Sequence, residues 1–483
     1  MNFKAVIHII SLLTAMVGLA MFTCLIPGHL MNDDSLVLKK IAFCATITVA
    51  SSLFAFNKTK NAREDSVRIR EGFAIVTVGW VAASLFGALP YLYAGDMLLV
   101  DAFFEAMSGF TTTGASILTD IEAQPKSLLY WRSFTNWMGG MGIVVLGMVI
   151  LPYLGVGGMQ IYKAETTGPV SEQLTSRVAT TAKSLWLVYF GLTLILIVLL
   201  RLGSMPWYEA ICHGLSTMST GGFSPKGDSV ASYSSYIQLT MSLFMFLAAT
   251  NFILHFHLLR GKFTYFKDDE WRHYFYLIIL SITIITASLI NHDVYEPFKA
   301  FVHATFQTAT ILSSAGFASA DFTHWPPVIQ GIFVLLMITG ACGGSTCGGL
   351  KISRVLLMFR YSLSQIKNCV FPHALSNVQM NKQRIKDDIM DKIFSFVFLY
   401  SAATVIISTL LLLIADVSLI EAFSAALTCM ANVGPGIGDR LGPAGNFGFL
   451  PESAKWLLSF TMLLGRLEVY TVIVLILPVF WKK

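Results

Sequence analysis

Thr111-Thr112-Thr113-Gly114, Ser219-Thr220-Gly221-Gly222, Ser313-Ser314-Ala315-Gly316 and Ala431-Asn432-Val433-Gly434 are short, largely polar stretches, each closed by a glycine and each preceded by an apolar segment. The closing glycines lie 108, 94 and 118 residues apart, so one unit is used four times. Small residues ending in glycine leave the backbone free to turn its carbonyl oxygens to one side. Four such stretches around one axis form an oxygen-lined sieve for a dehydrated alkali cation. The sequence therefore predicts a cation pore. Its ion-binding residues are Thr112, Thr113 and Gly114, then Thr220, Gly221 and Gly222, then Ser314, Ala315 and Gly316, and last Asn432, Val433 and Gly434.

The surrounding chain supports a membrane setting. Of its 483 residues 55% are hydrophobic and only 13% charged, with a mean hydropathy of +0.67. Apolar runs of about 20 residues, long enough to cross a bilayer as helix, recur along its whole length. A soluble core does not repeat such runs, and the composition excludes a set of soluble domains. The first run, Ala5 to Leu25, is longer than a signal-peptide core and has no clear cleavage site before His29, so a retained helix is expected. A second run, Ile41 to Phe56, leads into a basic loop with Lys58, Lys60, Arg63, Arg68 and Arg70. Cys342 and Cys347 are the only close pair among seven scattered cysteines, and they fit small interior residues better than metal ligands.

After the two leading helices each unit reads as helix, short half-polar segment, helix. The segments are Gly72–Leu98, Asp101–Leu118 and Trp131–Tyr153, then Leu185–Leu202, Trp207–Ser224 and Ile237–Leu259. The third and fourth units read Tyr274–Ile290, Glu296–Ser319 and Val328–Phe359, then Ile393–Ile414, Leu419–Ile437 and Trp456–Phe480. The middle segments are too short to span and belong at membrane depth only where they line a cavity. The expected fold is an all-α integral membrane protein. Four pseudo-repeats of helix, re-entrant pore segment and helix surround one pore, with two extra transmembrane helices ahead of them. The corresponding divisions are 1–70, 71–165, 166–262, 263–372 and 373–483. Asp101, Glu209 and Glu421 stand thirteen residues before a filter glycine, where an acid suits the positive start of a pore helix. A helix cap fits them better than an ion ligand.

Charge sets the orientation. With the long basic loops cytoplasmic, that side carries 23 of the 33 Lys and Arg residues, the bias of cytoplasmic loops. Both termini are then inside, and the glycine motifs lie toward an acidic outer face that concentrates cations.

Two features interrupt the apolar pattern. Residues 340–349 hold five glycines in ten positions, which no stable helix tolerates at about 1 kcal/mol each relative to alanine. An unwound loop under the filter, blocking the path, fits contiguous glycines better than close helix packing, where small residues recur every four positions. Gly343, Gly344, Ser345, Thr346, Gly348 and Gly349 form this expected gate. Arg466 sits in the last apolar helix, and Glu468 two residues on faces elsewhere. It is either half of a buried ion pair or a pore-facing charge that meters cations. His255 and His257 diverge on a helix and are expected at the membrane interface, and Gly139-Gly140-Met141-Gly142 is expected to serve helix packing.

The array of Gly114, Gly222, Gly316 and Gly434 resembles the Trk/Ktr/HKT potassium transporters, most nearly their bacterial TrkH/TrkG branch. The motifs Asn432-Val433-Gly434-Pro435-Gly436, Ser345-Thr346-Cys347-Gly348-Gly349-Leu350-Lys351 and Gly465-Arg466-Leu467-Glu468 carry the likeness, which covers essentially the whole chain. The resemblance implies potassium as the transported ion, held by backbone carbonyls of the four filters, with Arg466 counted in the gate. It also implies a homodimer in the bacterial inner membrane and a cytoplasmic TrkA-like ring that binds nucleotides. No cofactor belongs to the chain itself, which carries no Walker-type phosphate loop. Ser313-Ser314-Ala315 departs from the threonine-rich third filter usual in that family. A sodium- or proton-coupled cation transporter is the alternative within transport. An enzyme would require a nucleophile–base pair or a metal cluster at membrane depth, and the sequence offers neither.

Overall fold

The computed structural model describes residues 1–60, 69–142, 178–371 and 378–482. Arg63 and Arg68 of the basic loop, the distal part of the expected helix Trp131–Tyr153 and the divisions at 165/166 and 372/373 lie outside the described residues.

Among the described residues the architecture is all-helical apart from one two-stranded hairpin, Gln379–Met380 paired antiparallel with Gln383–Arg384. Six described helices are long and apolar enough to cross a membrane, and two bent pairs would bring the number to eight. Large side chains such as Leu202, Phe398 and Leu413 stand exposed on these helices, as lipid-facing positions should.

The two leading helices, Phe3–Met21 and Ser35–Lys58, pack against each other; the first also packs against Ile69–Gly87, the first helix of the first repeat, and the second against Leu89–Ala94, which continues it. Four shorter helices follow the spanning ones: Leu99–Phe110, Trp207–Met218, Pro297–Leu312 and Leu419–Ala431. These are the pore helices. Most of their inner residues are small or apolar and fully buried, for example Ala102, Ala106, Ala210, Ala304 and Ala426. The buried apolar side chains form two main bodies, one around the leading helices with the first and fourth repeats, the other around the second and third repeats.

The second helix of the second and of the fourth repeat departs from expectation. Ile237–Leu259 is not one helix: Ser235–Ala248 and Phe252–Leu259 meet at 95°. The Asn251 side chain accepts the Ile253 N–H (3.0 Å) and so starts a new helix. Trp456–Phe480 is likewise broken, with Glu452–Arg466 and Tyr470–Ile476 bent by 119°. Glu468 and Val469 both adopt positive φ there, and the Val469 N–H closes on the Leu464 carbonyl (2.9 Å). In the third repeat Pro327–Thr339 ends before the glycine-rich loop and Ile352–Val370 starts after it.

Candidate ion-conduction site

Each pore helix ends in the same hydrogen-bonded stop. The N–H groups of Thr113, Gly221, Ala315 and Val433 reach back five residues to Ser108, Ser216, Thr310 and Thr428, at 2.8–2.9 Å. The residue before each adopts a left-handed conformation: Thr112 (φ 55°), Thr220 (53°), Ser314 (54°) and Asn432 (53°). This is the Schellman geometry, whose turning position glycine usually fills. Threonine there is an outlier, because a β-branched side chain crowds its own backbone at positive φ. Such strain, of order 1–3 kcal/mol per residue, gathers at functional sites.

The turn throws the following carbonyl toward the glycine of the preceding repeat, and the four repeats close on one another. A Cβ at Gly114 would lie 2.4 Å from the Gly221 carbonyl oxygen, and one at Gly222 2.0 Å from that of Ala315. A Cβ at Gly316 would lie 2.0 Å from the Val433 oxygen, and one at Gly434 2.7 Å from that of Thr113. The order runs first to second to third to fourth repeat and back to the first. The twelve residues expected to line the sieve are thus brought together in one ring. Ala315 presents its backbone as its counterparts do, so the unusual third filter does not break the ring.

Beyond the glycines opens a cavity lined by all four of them with Ser116, Phe223 and Pro435. Its wall is braced by side chains that sequence reasoning overlooked. Glu105 and Arg132, both fully buried, pair at 2.6 Å. Glu105 also accepts from the Ser116 hydroxyl (3.0 Å) and the Ile117 N–H (3.1 Å). Arg132 donates to the Ser224 carbonyl (3.1 Å) and lies 4.1 Å from the Phe223 ring centre, tying the first repeat to the second. His213 meets the Ser224 hydroxyl (3.1 Å), and Gln307 donates to the Ala320 carbonyl (3.1 Å). Glu105, His213 and Gln307 each stand nine residues before a filter glycine. Three polar residues in one column of an apolar helix were the available signal.

On the opposite side of the ring the left-handed residues hold the glycine-rich loop. Thr220 Oγ1 meets Thr346 Oγ1 (3.2 Å), and the Gly348 N–H donates to Ser314 Oγ (2.8 Å). The break in the second repeat completes the seat: the Ala249 carbonyl accepts from the Cys342 N–H (3.2 Å), and the Phe252 N–H donates to the Gly344 carbonyl (3.0 Å). Carbonyls freed at a broken helix within a membrane must find such partners. Of the six expected gate residues, Thr346 and Gly348 touch the ring, while Gly343, Gly344, Ser345 and Gly349 form the flanks.

Arg466 spans this underside. Its guanidinium donates to Thr112 Oγ1 (3.0 Å), to the Thr346 carbonyl (2.7 Å) and to the carbonyls of Gly139 (2.8 Å) and Gly140 (3.2 Å). Filter, loop and the first repeat thus converge on one cation. Glu468 pairs with Arg354. A Cβ at Gly139 would lie 1.9 Å from the Phe110 carbonyl oxygen, so that glycine packs a helix against the filter, as expected, while its carbonyl serves Arg466.

The three acids expected as caps divide. Glu421 caps: it forms a reciprocal capping box with Ser418 and also pairs with Arg440 at 2.9 Å. Asp101 and Glu209 do not. Both stand in the first turn of their pore helices, as expected, but with Leu98 and Pro206 at the N-cap in place of a serine no capping box forms; Asp101 pairs with Lys455 (2.6 Å), and Glu209 accepts from the Tyr233 hydroxyl (2.6 Å).

An all-α membrane protein with four pseudo-repeats closed around a ring of glycines and carbonyls is a defined class of cation transport protein, not an enzyme. This chain belongs to the TrkH family, described as a cation transport protein, which matches residues 37–483. It is 35% identical over 494 residues to the Trk system potassium uptake protein TrkH of Vibrio parahaemolyticus, covering 100% of both chains. It is 34% identical over 487 residues to TrkG of Escherichia coli strain K12, covering 99% of each. The crystal structure of the potassium transporter TrkH from Vibrio parahaemolyticus superimposes with a TM-score of 0.89 at 32% identity, over 100% of both chains.

Proposed function

We propose that this chain is the potassium-translocating subunit of a Trk-type uptake system in the bacterial inner membrane. The observation that carries the reading is the closed ring, in which each filter glycine faces the carbonyl oxygen of the next repeat. Carbonyls so arranged replace the hydration shell of a potassium ion, and the backbone of residues 112–114, 220–222, 314–316 and 432–434 supplies them. The full-length relatives named for potassium uptake support the choice of ion. A membrane potential of 100 mV is worth about 2.3 kcal/mol per charge, so inward flow asks for little beyond a selective, gated path.

The loop from Gly343 to Gly349 is the gate, with Arg466 as a cationic barrier below the filter. Both termini are cytoplasmic, as the Lys and Arg bias favours. The working unit is a homodimer, and a cytoplasmic TrkA-like ring supplies the nucleotide response that this chain has no phosphate loop to provide. Rubidium uptake into vesicles containing the purified protein tests the reading. Uptake should be suppressed by external potassium and not by equal sodium. Equal suppression by both ions would overturn it. Nucleotide should alter uptake only with the partner ring present, and a response from the chain alone would refute the assignment of control.

A further inference from the structure

Three consecutive acids open the helix Asp269–Asn291, and each holds a different part of the molecule. Asp268 caps the helix through the Trp271 N–H (2.8 Å) and accepts from the Asn381 side-chain amide (3.0 Å). Asp269 accepts from the Asn381 N–H (3.1 Å) and from Arg360 (2.9 Å), and its own N–H donates to Asn381 Oδ1 (2.7 Å). Asn381 is the first of the two turn residues of the hairpin, with φ of 51°, so the tip of the hairpin is fastened to this helical turn through both the backbone and the side chain of Asn381. Glu270 points the other way. Buried, it accepts through one oxygen from the Gly343 N–H (2.8 Å) and from the Ser353 N–H (3.0 Å).

Those two amides bracket the intramembrane loop. One lies at its entry, the other at the start of the helix that leaves it. The remaining seats of the loop lie at its middle, where Thr346 and Gly348 meet the filter and Arg466 meets the Thr346 carbonyl, and none of them joins its two ends. We propose that Glu270 is the positioning residue that ties both ends of the glycine-rich loop across the path, and that the hairpin docked on the same helical turn is where this tie is loosened. The inference rests on the reading of the loop as a gate. Displacing the hairpin pulls on Asp268 and Asp269 and rotates the first turn of their helix, which withdraws the Glu270 carboxylate from both amides together.

Basal rubidium flux of the full-length protein in vesicles, without added partner, tests it. Glu270→Ala should raise flux about ten-fold while the rubidium-to-sodium ratio holds, the effect of removing the one oxygen that two buried amides share. Glu270→Gln keeps an acceptor oxygen and should stay within about two-fold of the parent. Asn381→Gly preserves the positive φ of the turn and removes its side-chain ties, so a rise of about two-fold is expected. Cys347, buried in the loop, reports the motion directly: with Glu270→Ala, modification by a thiol reagent from the cytoplasmic side should quicken, followed at that residue by mass spectrometry. A simple packing role would lower thermal stability without raising flux per folded protein or exposing Cys347. Deleting residues 343–349 is the control. If the deletion raises flux and Glu270→Ala does not, the tie is refuted and the gate stands. If neither raises flux, the gate reading itself fails. Should Glu270→Ala not fold, Asn381→Gly decides, and an unchanged flux there overturns the proposal.

Discussion

The ring and the underside beneath it are built on opposite plans. In the ring all four repeats do the same thing, with the same back-bonded turn, the same left-handed residue and the same glycine facing its neighbour. Beneath it no two repeats agree. The third contributes a loop, the second the broken helix that seats it, the fourth Arg466, and the first the glycine carbonyls that Arg466 meets. A cage for a spherical ion gains from equivalent ligands on every side. A gate works better with one moving part and fixed surroundings. Side-chain identity therefore matters little in the ring, where Thr113, Gly221, Ala315 and Val433 all offer a carbonyl, and matters a great deal below it.

The ring should break most completely at its glycines. Gly222→Ala puts a Cβ 2.0 Å from a backbone oxygen that cannot give way without moving the third filter. Selectivity should collapse, with sodium permeability rising toward that of potassium in bi-ionic recordings. Gly114→Ser should do the same. Gly434→Ala, with 2.7 Å of room, should be the mildest of the ring substitutions. An unchanged ion ratio for Gly222→Ala would remove the ring from the selective step.

Next in size is the buried pair above the ring. Glu105→Leu leaves the Arg132 charge buried without its carboxylate, a loss of about 3–5 kcal/mol. The expected result is poor expression and a markedly lower thermal midpoint, with discrimination retained in whatever protein folds. A large change in ion ratio at unchanged stability would show instead that this pair belongs to the conduction path.

Much of the ring could be read directly from the chain, because the glycine spacing and the alternation of apolar and half-polar segments survive in the residues. The underside was only half legible. Five glycines announced the loop, yet the breaks at Ala249–Asn251 and Leu467–Val469 carry no glycine or proline, and their freed backbone groups are satisfied by residues distant in sequence. The same limit explains Asp101 and Glu209. A carboxylate at the right offset looks like a cap, and only folding reveals that Lys455 or Tyr233 lies closer. The column of Glu105, His213 and Gln307 was present in the repeat alignment, but a polar side chain in an apolar helix does not by itself disclose its partner.

Arg466 tests the underside. Arg466→Ala removes a positive charge from the exit of the ring and unfastens Thr346, so potassium flux per folded protein should rise several-fold, since 1.4 kcal/mol of barrier corresponds to about ten-fold in rate. Selectivity should persist, because the carbonyl ring keeps its own turns. The competing expectation is that the guanidinium is structural glue between Thr112, Thr346, Gly139 and Gly140. In that case the variant loses stability with flux unchanged, which would sink the metering role and leave the loop as the sole barrier.

The smallest effect is expected at the outer rim, where the symmetric plan gives each of three repeats its own strut: Asp101 with Lys455, Glu209 with Tyr233, and Glu421 with Arg440. Lys455→Met removes one of these while the other two and the back-bonded turns remain. Asp101 keeps 19% of its side chain exposed, so water can solvate it once the lysine is gone, whereas Glu105 has no such recourse. The loss should therefore be about 1–2 kcal/mol rather than the larger cost of the buried pair. In practice this means a slight fall in thermal midpoint with ion ratio and basal flux both intact. If Lys455→Met instead cost as much stability as Glu105→Leu, the rim would be a single coupled element and the repeats would not bear their loads independently. A shift in ion ratio would go further, showing that the ring depends on its rim for shape as well as for support.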